Sequence, residues 1–170
     1  MKLMKTFPLL LSALFFFNIS VQAQKIAFVD VQEILDNIVE YKDAQAELDR
    51  IANTWRQEIA KEYDVIKGMY NRYQAEQVLL SEEARAQREE EIMNKEKAVR
   101  DLQRTYFGPE GSLFKRRQEL VQPIQETVYA AIESYANDRG YDFIFDRSSD
   151  SSMIFSNPEY NKTEDILRRL

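Results

Sequence analysis

The chain has 170 residues, 31% of them charged, with only four glycines and four prolines. That length predicts one domain, and so few chain breakers favour long helices over a many-stranded sandwich or barrel. There is no cysteine or histidine, which excludes disulfides, thiolate nucleophiles and cysteine-held metals and removes the commonest general base; a net charge of −6 and a pI near 4.9 argue against a nucleic-acid binder.

Lys2 and Lys5 precede an apolar run from Phe7 to Phe17, and Val21 and Ala23 then occupy the small-residue positions of a cleavage site. The three-part pattern predicts a secretory signal peptide over residues 1–23, cut after Ala23. The apolar run is shorter than the ~20 residues of a comfortable membrane span. Taking Lys2 and Lys5 from the 23 basic residues leaves 21 against 29 acidic ones, so the mature chain carries −8. An exported chain without disulfides must draw its stability from packing or assembly.

Lys25 to Val29 reads as a short, β-rich strand buried on both faces. Asp30 ends it, and with Glu33 three residues later it forms a variant capping box that opens a short helix through Val31, Ile34 and Leu35. From Val39 the pattern is helical. Tyr41, Ala44, Leu48, Ile51 and Trp55 step as a heptad seam, and Ile59, Tyr63, Ile66, Tyr70 and Tyr73 continue it more loosely, as a stutter would. A helix from Val39 to Leu80 would span roughly 63 Å. Ser81, followed by Glu82 and Glu83, predicts the N-cap of a second helix. Its seam is Ile92, Lys95, Val99, Leu102 and Tyr106, with Arg85 and Arg88 in the earlier seam positions making that end of the pair wet. Two long helices with a short break form an antiparallel hairpin.

Gly108, Pro109 and Gly111 must break the returning helix, and Leu113 to Tyr135 then carry a broad apolar face with Pro123 as a kink or a local start. Gly140 is placed to end that helix in the left-handed region. Tyr141–Asp146 and Ser152–Ser156 read as the two strands of a β-hairpin around a Ser148–Ser151 turn, and Thr163 as the cap of a last helix over Glu164–Leu170. The fold class is therefore α+β and mostly helical.

Four local patterns, in this order, resemble the Skp (OmpH) family of periplasmic chaperones. Lys25-Ile26-Ala27-Phe28-Val29-Asp30 is similar to the family's opening strand. Tyr135 to Asp142, ending Gly140-Tyr141-Asp142, resembles its step from arm into sheet, and Phe143 to Asp146 the strand that follows. Asn157-Pro158, then Asn161-Lys162-Thr163 and Asp165-Ile166, resembles its terminal cap. The resemblance implies a homotrimer with a small β-body, residues 24–38 and 108–170, and a protruding hairpin arm, residues 39–107. Three such arms would enclose a cavity that holds unfolded outer-membrane proteins in the periplasm without ATP. It also implies a trimer body built on Ile26, Phe28, Val29, Phe143, Phe145, Ile154 and Phe155, because a few short strands cannot form a stable lone sheet with two open edges. Better-known members are basic with cationic arm tips, whereas this chain is acidic, which argues against contact with anionic lipid or lipopolysaccharide. The Phe107–Gly111 break also departs from a continuous return helix; read as an elbow, it would stiffen on replacing Gly108 and Gly111 by Ala.

Trp55, Ile59, Tyr63, Ile66, Met69, Tyr70, Tyr73, Val78, Leu79 and Leu80 are the candidate client lining of the arm. Soft Met and amphipathic Tyr suit varied apolar partners. From Tyr41 to Trp55 the heptad spacing reads first as packing between the arm helices, while Met69 to Leu80 serve equally as lining or packing. Arg85 and Arg88, compensated by Glu82 and Glu89, and the run Glu89 to Glu91 beside Lys95 and Lys97, read as solvated charge. Asp142 and Asp146 flank a strand without a nucleophile nearby, so strand-end roles outweigh acid–base chemistry, and no catalytic residue, metal or cofactor is expected. The competing reading is a structural coiled-coil tether or adaptor, which predicts an uninterrupted apolar seam and a defined partner helix.

Overall fold

The computed structural model describes residues 23–148 and 153–170. The expected signal peptide, except Ala23, and residues 149–152 of the expected hairpin lie outside the described residues. Strand β1 (Ile26–Val29) leads to Asp30, whose carboxylate accepts the Glu33 N–H at 2.9 Å and caps helix α1 (Val31–Asn37). The reciprocal half of the capping box is not made, because the Asp30 N–H donates to Thr163 Oγ1 at 2.9 Å and ties α1 to the C-terminal segment.

After Ile38, helix α2 (Val39–Glu76) runs for 38 residues, about 57 Å at 1.5 Å per residue. It stops short of Leu80 because Gln77 to Leu80 form the turn that reverses the chain. Ser81 Oγ then accepts the Ala84 N–H at 3.2 Å and starts α3 (Glu82–Phe107). Arg85 closes the turn: its Nε donates to the Gln77 carbonyl at 2.9 Å, satisfying a terminal carbonyl of α2.

Gly108 ends α3 and Gly111 opens α4 (Ser112–Arg139). The elbow is tightly wound, with the Gly108 N–H on the Arg104 carbonyl at 2.8 Å and the Gly111 N–H on the Gly108 carbonyl at 2.9 Å. A Cβ on Gly108 would stand 2.4 Å from the Arg104 carbonyl oxygen, and one on Gly111 would meet three backbone atoms at 2.9 Å. Alanine at either position would therefore force the elbow apart rather than stiffen it. The returning limb continues past the break: Leu113, Leu120 and Val121 of α4 pack on Ala44 and Leu48 of α2. No new helix starts at Pro123; α4 is continuous through it, and its apolar face, from Val121 to Val128, offsets the one backbone hydrogen bond that proline removes. Gly140 sits at φ 66° and ends α4, with the Tyr141 N–H returning to the Ala136 carbonyl at 2.9 Å.

Strand β2 (Phe143–Asp146) does not turn back into a hairpin. It pairs in parallel with β1, Ile26 opposite Phe143 and Phe28 opposite Phe145, and residues 153–156 carry no strand. Within one chain a returning strand would gain one neighbour and leave another bare edge, and such additions are marginal in water. Side chains alternate across the sheet: Ala27, Val29 and Ile144 face the helices. There they join Ile34, Val128 and Ile166, all essentially without solvent exposure.

A 3-10 turn (Pro158–Tyr160) precedes α5 (Thr163–Leu167). Thr163 is the first helical residue rather than the expected cap, since its hydroxyl is held between the Asp30 N–H and Asn161 Oδ1. Tyr135 donates its hydroxyl to Asp165 at 3.0 Å, and Arg169 pairs with Asp138 at 2.9 Å, pinning α5 to α4. Burial and the Asp165 carboxylate push the Tyr135 phenol up to about 12.

Candidate functional site: the arm and the open sheet face

Two surfaces stand out, the α2–α3 arm and the uncovered side of the sheet. On α2 the side chains turned to its partners are Ala52, Trp55, Ile59, Glu62, Ile66, Met69, Tyr73 and Glu76, in regular steps of three and four. Ala52, Ile59 and Ile66 are buried and the others are half-buried. This corrects two expected positions: Glu62 replaces Tyr63 and Met69 replaces Tyr70, while Ala52 joins the half-buried Ile51 and the expected stutter after Trp55 is absent. The seam of α3 is as expected, with Ile92 and Val99 buried and Lys95, Leu102 and Tyr106 half-buried.

Polar rungs cross this seam. Lys95 pairs with Glu62 at about one-third exposure of each side chain. Tyr106 donates to Glu58 at 3.0 Å, Tyr70 to Glu96 at 2.9 Å, and Tyr73 to Glu89. The carboxylates beside Tyr70 and Tyr73 raise both phenols above their ordinary value, and burial followed by Glu58 raises Tyr106. All three hydroxyls therefore remain donors at neutral pH. Glu89, expected as solvated charge, instead accepts from Tyr73 across the pair. Strict three–four stepping from Ala52 would have placed Glu62 inside. Arg88 pairs with Glu91 at 2.8 Å rather than Glu89, and Arg85 keeps Glu82 at 3.1 Å.

The candidate lining residues therefore divide. Trp55 belongs to the elbow: its ring stacks on Tyr106 at 4.5 Å and 7° and meets Phe107 edge-on at 6.2 Å, with the Arg56 guanidinium over Phe107. Ile59 and Ile66 are closed inside the seam with Val99. Tyr63 and Tyr70 are exposed on the flank, while Met69 and Tyr73 edge a groove between the helices. At the turn Val78 is 80% and Leu79 85% exposed, while Leu80 is half-buried. Among the described residues, nothing covers Val78 and Leu79 at the free end of the arm.

β1 is not buried on both faces as expected, because the helices cover one side of the sheet only; the uncovered side carries Ile26, Phe143 and Phe145, each more than two-fifths exposed, with the two phenyl rings stacked at 6.3 Å. Phe155 and Ile154 stand 85% and 100% exposed beside it, and a cleft of about 500 Å³ opens among Ile26, Phe145, Met153, Phe155 and Tyr160. Val29 lies on the opposite, core side, as a period of two dictates. Phe28 is on the open side yet buried, beneath the Arg147 guanidinium and beside Asn161. Asp142 accepts the Lys25 N–H at 2.7 Å, and Asp146 accepts the N–H groups of Val31 at 3.2 Å and Ser148 at 2.9 Å, so both hold strand ends. Among the described residues no three acidic side chains are placed to hold a metal ion, and no helix is long and apolar enough to cross a membrane.

The profile of a family described as outer membrane protein (OmpH-like) matches residues 25–170. The fold is similar to the crystal structure of a candidate outer membrane chaperone (OmpH-like) from Caulobacter crescentus. The TM-score is 0.67 at 12% identity, over 87% of this chain and 84% of that one. No curated protein matches the sequence.

Proposed function

Since the chain belongs to the OmpH-like outer membrane protein family, we propose that it is an ATP-independent periplasmic holdase that keeps unfolded outer-membrane proteins from aggregating. The observation that carries the reading is a long, thin arm whose free end holds Val78 and Leu79 exposed, with none of the described residues covering them. Such a surface meets apolar segments of many sequences without demanding one shape. The arm, residues 39–107 prolonged by the first turns of α4, projects from a body formed by residues 24–38 and the rest of 108–170. Three bodies join through Ile26, Phe143, Phe145, Ile154 and Phe155, and the arms enclose the client. Exposed aromatics beside an incompletely paired sheet support this assembly.

The test is suppression of aggregation when a urea-unfolded outer-membrane β-barrel is diluted into buffer without nucleotide. Suppression at about one trimer per client is expected; aggregation unchanged at a severalfold excess would overturn the reading. A second reading, a coiled-coil tether, draws support from the regular stepping between Ala52 and Glu76. Against it stand Glu62 and Lys95 inside the seam and the carboxylate–tyrosine rungs, which a dry coiled coil would replace with aliphatic side chains.

A further inference from the structure

Gly68 lies within α2, about two turns before its C-terminal end, and a Cβ built there would meet no atom within 4 Å. Glycine inside a helix weakens it, and here neither a positive φ nor close packing calls for one. The bare backbone instead forms one wall of a groove of about 310 Å³ on the flank of the arm. Val65, Met69 and Ile92 give it an apolar lining. Its rim carries Arg72, Glu76, Arg88 and Glu91, two charges of each sign. Arg88 and Glu91 pair with each other, whereas Arg72 and Glu76 make no side-chain hydrogen bond or ion pair among the described residues.

We propose that this groove is a docking subsite for a single apolar side chain of an extended, unfolded polypeptide, with Arg72 donating to its main-chain carbonyls and Glu76 accepting from its main-chain N–H groups. The inference rests on the holdase reading and names where on the arm a client is held. An extended chain turns alternate side chains to opposite sides, so one enters the groove while its neighbours stay outside. Its unpaired main chain offers donors and acceptors in equal number, which matches a rim balanced in charge. A nucleic acid or an anionic lipid head group would call for a cationic rim. The Met69 thioether adapts to side chains of different shape, and the missing side chain at position 68 lets the client approach the helix backbone.

The experiment measures binding of a fluorescein-labelled, urea-unfolded outer-membrane β-barrel by anisotropy to the wild-type chain, Gly68→Ala and Gly68→Leu. Both substitutions improve helix propensity, so both variants are expected to melt no lower than wild type. Gly68→Ala leaves most of the groove open and binds within twofold of wild type. Gly68→Leu fills it and binds at least fivefold more weakly. A benzophenone attached at Gly68→Cys, in a chain with no other cysteine, crosslinks the client, while the same group at the exposed outer-face position Lys97→Cys does not. Wild-type binding retained in full by Gly68→Leu, or equal crosslinking at both positions, would overturn the subsite and leave the holdase reading standing. No binding by the wild-type chain would overturn both.

Discussion

Replacing Trp55 with Ala separates elbow from client lining. Its indole stacks on Tyr106 at 4.5 Å and meets Phe107 at 6.2 Å. Aromatic pairs of this kind contribute about 0.5–1.5 kcal/mol each, so the two together amount to about 1–3 kcal/mol. Truncating a fully buried Trp costs about 3–5 kcal/mol, which bounds the effect from above for this half-buried side chain. The expected loss is therefore about 2–3 kcal/mol, concentrated where α2, α3 and the elbow meet. Urea unfolding at fixed protein concentration reads the total, since assembly makes stability concentration-dependent. Amide exchange locates it: faster exchange is expected from Leu102 to Lys115, with α1 and α5 unchanged. A loss below about 0.5 kcal/mol with unchanged exchange, together with weakened client binding, would refute the structural assignment and return Trp55 to the lining.

Gly108→Ala places a methyl 2.4 Å from the Arg104 carbonyl oxygen, so a loss of about 1–3 kcal/mol in urea unfolding is expected, as for other overpacked sites. An unchanged or raised stability would show that the elbow is loose. Tyr135→Phe deletes the hydroxyl held by Asp165 at 3.0 Å and should cost about 1.5–3 kcal/mol at neutral pH, read by thermal melting. The Tyr135 phenol is raised to about 12, so the folded chain keeps a proton that the unfolded chain releases near 10. Wild-type stability should thus fall as pH climbs from about 10 to about 12, and Tyr135→Phe should lack that fall; parallel profiles would contradict the assignment. Burial opposes ionisation of Asp165, but the Tyr135 and Arg168 hydrogen bonds outweigh it and hold the carboxyl below its ordinary value. Its contribution is present above about pH 4 and is lost as pH falls through the lowered value, a slope that Asp165→Asn should flatten in an acid titration followed by circular dichroism. Val78→Ser with Leu79→Ser should leave the melting curve within about 0.5 kcal/mol of wild type, because both side chains are exposed, while weakening client capture in the anisotropy assay. Unimpaired capture would remove the arm's end from the client surface.

What the sequence disclosed was local. The Asp30 and Ser81 caps and the left-handed Gly140 are each decided by contacts within a few residues, and all three are in place. The run Tyr141 to Asp146 likewise announced a strand, and the strand stands at Phe143–Asp146. Tyrosine obscured the arm. Its ring resembles a seam residue and its hydroxyl a surface one, so Tyr63 and Tyr70 drew the seam one position aside from Glu62 and Met69. Charge obscured it further, since a carboxylate that meets Lys95 or a tyrosine on the opposite helix looks the same in sequence as one facing water. The sheet was misread because its pairing is distant. Ile26 finds Phe143 across the whole helical hairpin, whereas the expected partner of β2 lay only a few residues beyond it. The groove at Gly68 left one trace in the sequence, a glycine with no turn around it.

The open sheet face and the free arm lead to the same claim, that three chains join by their bodies and leave their arms to enclose a client. The solution mass of residues 24–170 tests it most directly, by sedimentation equilibrium with the frictional ratio taken from sedimentation velocity. One subunit is lighter than the 20.1 kDa of the full chain. The account predicts a species of three subunits with the large frictional ratio of an armed particle, reduced to monomers by Phe143→Asp with Phe145→Asp. A compact monomer would contradict the enclosed cavity, and a dimer untouched by those two substitutions would favour the coiled-coil tether.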